Sequence, residues 1–123
     1  MQEPPKEEVP LSDVAKELRE NYTVVKKVTV EEAKSLAENE GYTFIDLRTP
    51  KEIKNGKIEG AIEINVKGPN SIGEVNELPR DNKYILYCKS GGRSETASKL
   101  FSQMQFTNTV DMTEGYQGWK KKN

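Results

Sequence analysis

The chain has 123 residues, 19 of them basic and 20 acidic, with a formal net charge of -1 and no histidine. The length fits one domain, the balanced charge argues against a nucleic-acid-binding surface, and no apolar run approaches the roughly 18 residues of a membrane span. Without histidine there is no Ser-His or Cys-His pair and no His-ligated metal. A single cysteine, Cys88, allows neither an internal disulfide nor a cysteine-clustered metal site. We therefore expect no metal and no cofactor.

The N-terminal part of the chain differs from the rest in composition. Residues 1–10 hold three prolines and three glutamates, which is typical of a segment that cannot bury enough apolar surface to order itself. We therefore predict a disordered or linker-like leader over 1–10, an N-terminal helix and connection over 11–26, and the main domain over 27–123. No secretion signal is recognisable, yet such a leader also resembles the start of an exported protein after processing. A cytoplasmic and a periplasmic or extracytoplasmic location therefore both stay open.

Capping residues and hydrophobic patterning predict the elements of the folded part. Thr29 and Glu32 form a Thr-x-x-Glu capping box, and Thr49 and Glu52 form a second one with Pro50 at the first helical position. Short runs of β-branched, aromatic or alternating apolar residues predict strands. The first expected element is a helix capped by Ser12, with Val14, Ala15 and Leu18 on one face. The expected strands are 42–47, 61–66, 83–87 and 109–112. The helices between and after them are one from Thr29 to about Leu36, a short one ended by Asn55-Gly56, a weak one over 71–78, one from Ser94 to about Met104 and a terminal helix.

The order of these elements predicts the fold class. Strands that alternate with helices indicate an α/β fold, with an open parallel sheet of about five strands and helices on both faces. Ligands of such sheets bind beyond the carboxyl ends of the strands. Asp46 and Arg48 lie at the end of one predicted strand, and Cys88 directly follows another. Asp46 and Arg48 either line a pocket or give structural support, and we favour an ion pair or loop brace.

The segment 88–94, here called the cysteine loop, reads Cys-Lys-Ser-Gly-Gly-Arg-Ser and has the features of a reactive thiol. A thiol is nucleophilic as thiolate, which is favoured beside cations and at helix N-termini. The two glycines permit a positive φ, so that consecutive amides can converge on an anion. A second interpretation stays open, in which Cys88 is a small buried apolar residue in an ordinary strand-to-helix turn. The phosphate-loop pattern Gly-x-x-x-x-Gly-Lys-Ser/Thr is not matched.

Four segments of the sequence, taken in order, resemble the motifs of the rhodanese family. They are Phe-Ile-Asp-Leu-Arg-Thr-Pro-Lys-Glu at 44–52, Gly-Lys-Ile-Glu-Gly-Ala at 56–61, Tyr-Cys-Lys-Ser-Gly-Gly-Arg-Ser at 87–94 and Glu-Gly-Tyr-Gln-Gly-Trp at 114–119. The resemblance covers about residues 27–122. The sequence departs from the family at three positions that concern the substrate rim and leave the cysteine loop intact: Lys57, where His is common, Glu59, where Pro is common, and Glu114, where Gly is common.

This resemblance implies a sulfurtransferase without a cofactor or metal. Cys88 would be the catalytic nucleophile, taking sulfane sulfur from a donor such as thiosulfate as a persulfide and passing it to a thiol or cyanide acceptor. The rest of the cysteine loop would bind the anion through Lys89, Ser90, Gly91, Gly92, Arg93 and Ser94. A protein that donates or accepts sulfur stays open as a partner, whereas no nucleic acid partner and no membrane span are expected.

Two other functions compete with sulfur transfer. A sulfur-carrier or protein-binding module would use the same loop without turnover of small molecules. A phosphatase or arsenate reductase would hold an oxyanion there, but the related phosphatases have five residues between Cys and Arg. Here four residues separate Cys88 from Arg93, and the shorter loop favours sulfur transfer.

The remaining conspicuous side chains have structural explanations. Glu52 is fully explained as a capping-box partner. Tyr116 and Trp119 lie at helical spacing and are predicted to pack against the core. The run 120–122 of three lysines is predicted to be a solvated tail that complements a helix C-terminus.

Overall fold

Helices and strands alternate along the part of the chain that the structure, a computed structural model, describes: residues 10–16 and 25–123. The predicted leader therefore lies outside the described residues except for Pro10. The elements are α1 (Leu11–Lys16), β1 (Lys26–Val28), α2 (Val30–Glu40), β2 (Thr43–Asp46), α3 (Pro50–Ile53), β3 (Ile62–Glu63), α4 (Ser71–Asn76), β4 (Tyr84–Tyr87), α5 (Gly92–Gln103), β5 (Thr109–Met112) and α6 (Gly115–Lys122).

The five strands of the described chain form one sheet in the order β1-β5-β4-β2-β3. All four strand pairs are parallel. In the centre, Ile45 of β2 lies beside Leu86 of β4, which in turn lies beside Asp111 of β5. The prediction of an α/β fold with about five parallel strands and helices on both faces is confirmed. Because the strands are parallel, the carboxyl ends of β2, β4 and β5 meet at one edge.

Strand β4 divides the core into two layers, because all four of its residues are buried and they alternate between the two faces of the sheet. Tyr84 and Leu86 pack into a cluster with residues of α1, α4 and α5. Ile85 and Tyr87 pack into a second cluster with residues of α2. The central strands are therefore covered on both sides, as parallel sheets require.

Helix α6 closes the second cluster, and its aromatic residues pack as predicted. Trp119 meets Phe44 edge to face, with the ring centroids 5.3 Å apart. Tyr116 is partly buried against the same cluster. Packing of α6 here brings its side chains next to the carboxyl edge of the sheet.

Both predicted capping boxes are present. The Thr29 side chain accepts a hydrogen bond from the Glu32 amide, and the Glu32 carboxylate accepts one from the Thr29 amide at 2.8 Å. Thr49 and Glu52 repeat this arrangement at the start of α3, with the carboxylate 3.0 Å from the Thr49 amide. Helix α2 extends to Glu40, beyond its predicted end.

Helix α1 begins at Leu11, two residues earlier than a Ser12 cap predicts. Its first residue, Leu11, is completely buried, and the Leu11 amide donates to the Ser71 hydroxyl over 2.8 Å. The cap therefore comes from the start of α4, 60 positions along the chain, and not from the local sequence. The side chains predicted to form the apolar face of this helix, Val14, Ala15 and Leu18, lie outside the described residues.

The strands differ from the prediction at both sheet edges. The sequence did not predict β1, because two lysines and one valine give no alternation of apolar and polar residues. In the structure Lys26 and Lys27 are exposed and only Val28 is buried. β3 is shorter than the predicted 61–66, but the chain continues alongside β2. The amides of Ile64 and Val66 donate to backbone carbonyls of the β2 segment over 2.9 and 3.3 Å, and both side chains are buried.

Candidate active site

Cys88 follows β4 at the carboxyl edge of the sheet and is 1% exposed. The Gly91 amide donates a hydrogen bond to its Sγ over 3.1 Å, and Sγ lies 3.9 Å from the Ser94 hydroxyl oxygen. The Cys88 carbonyl accepts a hydrogen bond from the Tyr116 amide over 2.7 Å, so the first turn of α6 holds this point of the backbone. An amide aimed at sulfur stabilises negative charge there.

Helix α5 begins at Gly92, two residues before the predicted start at Ser94. Gly91 precedes it in the left-handed region with φ 111°, and a Cβ on Gly91 would lie 2.5 Å from the Thr113 carbonyl oxygen. Only glycine fits this position. Ser94 consequently belongs to the first turn of α5, and the positive end of the helix dipole lies close to Cys88.

Arg93 does not point freely into the loop, because it forms a two-pronged ion pair with Glu52. The two guanidinium nitrogens lie 2.7 and 2.8 Å from the two carboxylate oxygens. These hydrogen bonds, together with those from Thr49, lower the pKa of Glu52 to about 2. Glu52 is therefore more than the capping-box partner that the sequence suggested, since it also ties α3 to the first turn of α5.

Asp46 and Arg48 form a buried ion pair. Two guanidinium nitrogens and the backbone amide of Arg48 donate to the Asp46 carboxylate over 2.7 to 3.0 Å. The Tyr87 hydroxyl donates to the same carboxylate over 2.6 Å and accepts a hydrogen bond from the Ile58 amide. Burial, and then the bond to Asp46, raise the pKa of Tyr87 above its ordinary value. This network joins the carboxyl ends of β2 and β4.

A pocket of about 230 Å³ opens beside the cysteine loop. Arg48 and Glu52, each from one of the ion pairs described above, line this pocket. So do two lysines, Lys89 and Lys120, neither of which forms an ion pair with a described residue. The pocket residues are Arg48, Glu52, Asn55, Lys89, Tyr116, Gln117 and Lys120. The uncompensated lysine charges make this pocket attractive to a small anion.

Two lysines of the C-terminal run, Lys120 and Lys122, have contacts that the sequence did not indicate. Lys120 lines the pocket, and its ammonium nitrogen lies 5.4 Å from the centre of the Tyr116 ring. Lys122 forms ion pairs with Glu31 and Glu114 at 3.2 and 3.0 Å. The prediction of a solvated tail that complements a helix C-terminus is confirmed, because all three lysines are exposed and lie in the last turn of α6. The run of identical residues did not show which lysine faces the pocket.

The departures from the family pattern have local partners. The Glu114 carboxylate accepts a hydrogen bond from the Val30 amide over 2.7 Å at the start of α2. The Lys57 ammonium group donates to the Ala61 carbonyl and pairs with Glu63 at 2.6 Å. These two side chains serve the scaffold in this structure.

Asp111 is a buried carboxylate that the sequence did not single out. It is 1% exposed, and neither of its oxygens accepts a hydrogen bond from a described residue. Burial raises the pKa of Asp111 to about 6. The Ser94 hydroxyl lies beside the carboxylate and counters part of this rise, although it donates to the Gly91 carbonyl rather than to Asp111. An aspartate in a strand gives no sign in the sequence that its carboxylate lacks donors.

The described residues provide neither a metal-binding cluster nor a helix that could span a membrane. They contain no group of three or more Cys, Asp or Glu side chains placed to hold a metal ion. In the ranges 10–16 and 25–123, no helix has both the length and the apolar character needed to cross a membrane.

Comparison with known proteins identifies the family. A model of the rhodanese-like domain matches residues 29–122. The chain belongs to the rhodanese-like domain family. A sulfurtransferase of Allochromatium vinosum is 30% identical over 88 residues, covering 70% of this chain and 78% of the relative. A putative sulfur carrier protein of Bacillus subtilis is 26% identical over 108 residues, covering 84% of this chain and 55% of that protein. The solved structure of a single-domain sulfurtransferase of Saccharomyces cerevisiae has a TM-score of 0.67 at 26% identity, covering 85% of this chain and 95% of that one.

The rhodanese-like resemblance inferred from the sequence motifs is thus confirmed. The matched region includes the cysteine loop and the four strands from β2 to β5. The edge strand β1 and helix α1 precede it, yet they belong to the same fold. β1 pairs with β5, and α1 packs against α5.

Proposed function

We propose that this rhodanese-like domain is a sulfurtransferase that carries sulfane sulfur on Cys88. The observation that carries the proposal is the position of Sγ, which accepts a hydrogen bond from the Gly91 amide next to the N-terminus of α5. This arrangement favours a thiolate and a persulfide anion without a histidine.

The proposed reaction has two steps. In the first, the Cys88 thiolate attacks the outer sulfur of an anionic donor such as thiosulfate. The sulfur–sulfur bond of the donor breaks, sulfite leaves with the bonding electron pair, and Cys88 becomes a persulfide. In the second, a thiolate or cyanide attacks the outer sulfur of that persulfide, and the Cys88 thiolate leaves. No separate oxidant or reductant is needed, because sulfur transfer exchanges one sulfur–sulfur bond for another bond to sulfur.

Charge around the pocket supports a small anionic donor. Lys89 and Lys120 carry charges that no described carboxylate neutralises. A volume of about 230 Å³ suits a small ion better than a large organic molecule. We therefore assign the donor-attracting role to these lysines, and we assign to Arg93 the role of holding the loop through Glu52.

A sulfur carrier is the second candidate. It is favoured by the burial of Cys88, which is 1% exposed, and by the similarity to a putative sulfur carrier protein. A carrier would take one sulfur and release it only to a partner protein. The structure gives less support to a phosphatase or arsenate reductase, because four residues separate Cys88 from Arg93 and that arginine is held by Glu52.

Thiocyanate formation from thiosulfate and cyanide tests the proposal. We expect multiple turnovers for the wild-type chain and none for Cys88→Ser, because a serine hydroxyl is a far weaker nucleophile at neutral pH. Circular dichroism should show the same fold for both. Full activity in Cys88→Ser would contradict the proposal, and a single sulfur taken up without turnover would favour the carrier.

A further inference from the structure

Tyr116 is the one aromatic side chain among the described residues that line the pocket beside the cysteine loop. Lys89 of that loop lines the same pocket, and the preceding residue, Cys88, is 1% exposed. Because so little of Cys88 is exposed, a reagent must approach Sγ through a narrow opening. The Tyr116 amide donates to the Cys88 carbonyl over 2.7 Å, so the backbone of Tyr116 lies directly beside the nucleophile.

Two neighbours hold the Tyr116 ring in place. The central guanidinium carbon of Arg48 lies 4.3 Å from the centre of the ring, a cation–π contact. That guanidinium is itself fixed, because one of its nitrogens donates over 2.7 Å to both the Asp46 carboxylate and the Gly56 carbonyl. Gly56 has φ 128°, and a Cβ there would lie 2.7 Å from the Tyr116 hydroxyl oxygen. Glycine therefore leaves room for the ring, and the ring cannot turn away without losing its contact with Arg48.

We propose that the Tyr116 ring is a fixed wall of the pocket and determines the size of the molecules that react at Cys88. A small donor such as thiosulfate fits beside the ring, whereas a donor with a bulky group next to its sulfane sulfur has to displace it. Displacement is costly, because forcing extra volume into a packed site strains its side chains. The inference rests on the proposed role of Cys88 as the nucleophile.

The other side chains of the pocket do not provide such a wall. The volume of the pocket is about 230 Å³, and the two lysines that line it, Lys89 and Lys120, are exposed. A lysine ammonium group ends a flexible four-carbon chain, so both lysines can swing aside for a larger molecule. Tyr116 is partly buried against the core and cannot do so. Its ring, and not the lysine side chains, therefore sets the limit.

Alkylation of Cys88 by two reagents of different size tests the proposal without any sulfur donor. Iodoacetamide and N-phenyliodoacetamide are both neutral, and each forms a carbon–sulfur bond with the thiolate while iodide leaves. The measured quantity is the rate constant of the phenyl reagent divided by that of iodoacetamide. In Tyr116→Ala this ratio should rise about tenfold over the wild type, the scale on which a pocket discriminates size. Tyr116→Leu should give a smaller rise, and Tyr116→Phe, which keeps the ring, should give none.

Lys121→Ala is the matched control, because Lys121 belongs to the same helix but does not line this pocket, and its ratio should equal that of the wild type. Thermal unfolding verifies that each variant is folded, and Tyr116→Leu decides the matter if Tyr116→Ala is not.

Three results would overturn the proposal: an unchanged ratio in the folded Tyr116→Ala or Tyr116→Leu, an equal rise in Tyr116→Phe, or no reaction of the wild type with iodoacetamide. Because alkylation requires no sulfur transfer, whereas thiocyanate formation does, failure of this inference and failure of the proposed function are distinguishable.

Discussion

The two aspartates at the carboxyl edge of the sheet are equally buried and have opposite surroundings. Asp46, at the end of β2, accepts four hydrogen bonds, three from Arg48 and one from Tyr87. Asp111, on β5, accepts none from the described residues. Both lie within one strand of β4, which carries Cys88 at its end. The same residue type therefore serves different purposes on the two strands that flank β4.

The difference in hydrogen-bond donors around the two buried carboxylates has consequences for their energetics. Asp46 is fixed by its ion pair with Arg48, and its hydrogen-bond donors compensate the loss of water. Burial raises the pKa of Asp111 to about 6, because its oxygens accept no hydrogen bond from a described residue. A carboxylate with hydrogen-bond donors can stabilise the scaffold in its charged form, whereas a buried carboxylate without donors makes folding less favourable when it is charged.

Replacing each aspartate by asparagine should give the largest changes in the free energy of unfolding, with opposite signs at the two positions. Asp46→Asn leaves the buried Arg48 guanidinium without its counter-ion, so we expect a loss of about 3 kcal/mol in the free energy of unfolding. Asp111→Asn is the matched control and removes an uncompensated charge, so it should not destabilise the protein at pH 8. Urea unfolding at pH 8 measures both. Equal losses in the two variants would remove the distinction between these carboxylates.

The raised pKa of Asp111 should make the free energy of unfolding depend on pH. Its pKa in the folded chain is raised above the ordinary 3.8 to about 6, so the folded state holds a proton that the unfolded state releases. The contribution to stability is complete below about pH 4 and disappears as the pH rises through about 6. We expect the wild type to lose up to about 3 kcal/mol over this range relative to Asp111→Asn. Parallel stability curves for the two proteins would contradict the raised pKa.

The Glu52–Arg93 pair should contribute less, because both side chains are partly exposed. Glu52→Gln keeps the capping geometry but removes the charge, and we expect a loss of about 1 kcal/mol at pH 7. The pKa of Glu52 is lowered to about 2, so this contribution is present above its ordinary value of 4.5 and is lost as the pH falls through about 2. Glu63→Gln, in the more exposed pair with Lys57, is the control and should change stability little.

The smallest effect should come from the unpaired cations of the pocket. Lys120→Gln should raise the KM for thiosulfate about two- to threefold at low salt, with a smaller change at high salt because exposed charges are screened. Lys121→Gln is the control, since Lys121 does not line this pocket. Steady-state kinetics of both variants at low and high ionic strength measures the change in KM and its dependence on salt. A salt-independent change in KM would show that Lys120 acts by something other than charge.

Local features of the site and fold were predictable from the sequence, and contacts between distant segments were not. The capping boxes at Thr29 and Thr49 use residues three positions apart, so the sequence contains the whole motif. The Ser71 cap of Leu11 and the Glu52 partner of Arg93 join residues 60 and 41 positions apart. No pattern of neighbouring residues indicates such pairs.

Three further features could not be predicted from the sequence, each for a different physical reason. β1 is a three-residue edge strand with two exposed lysines, which gives no alternation of apolar and polar residues. Asp111 is unusual through its missing donors, a property of the folded chain alone. Lys120 differs from Lys121 and Lys122 only in the direction that α6 gives to its side chain.

Intact mass after incubation with thiosulfate tests the central claim, sulfur transfer through Cys88, most directly. The wild-type chain should gain the mass of one sulfur atom and lose it again on treatment with a reductant, whereas Cys88→Ser should gain nothing. No added sulfur on the wild type, or the same gain in both proteins, would contradict the account.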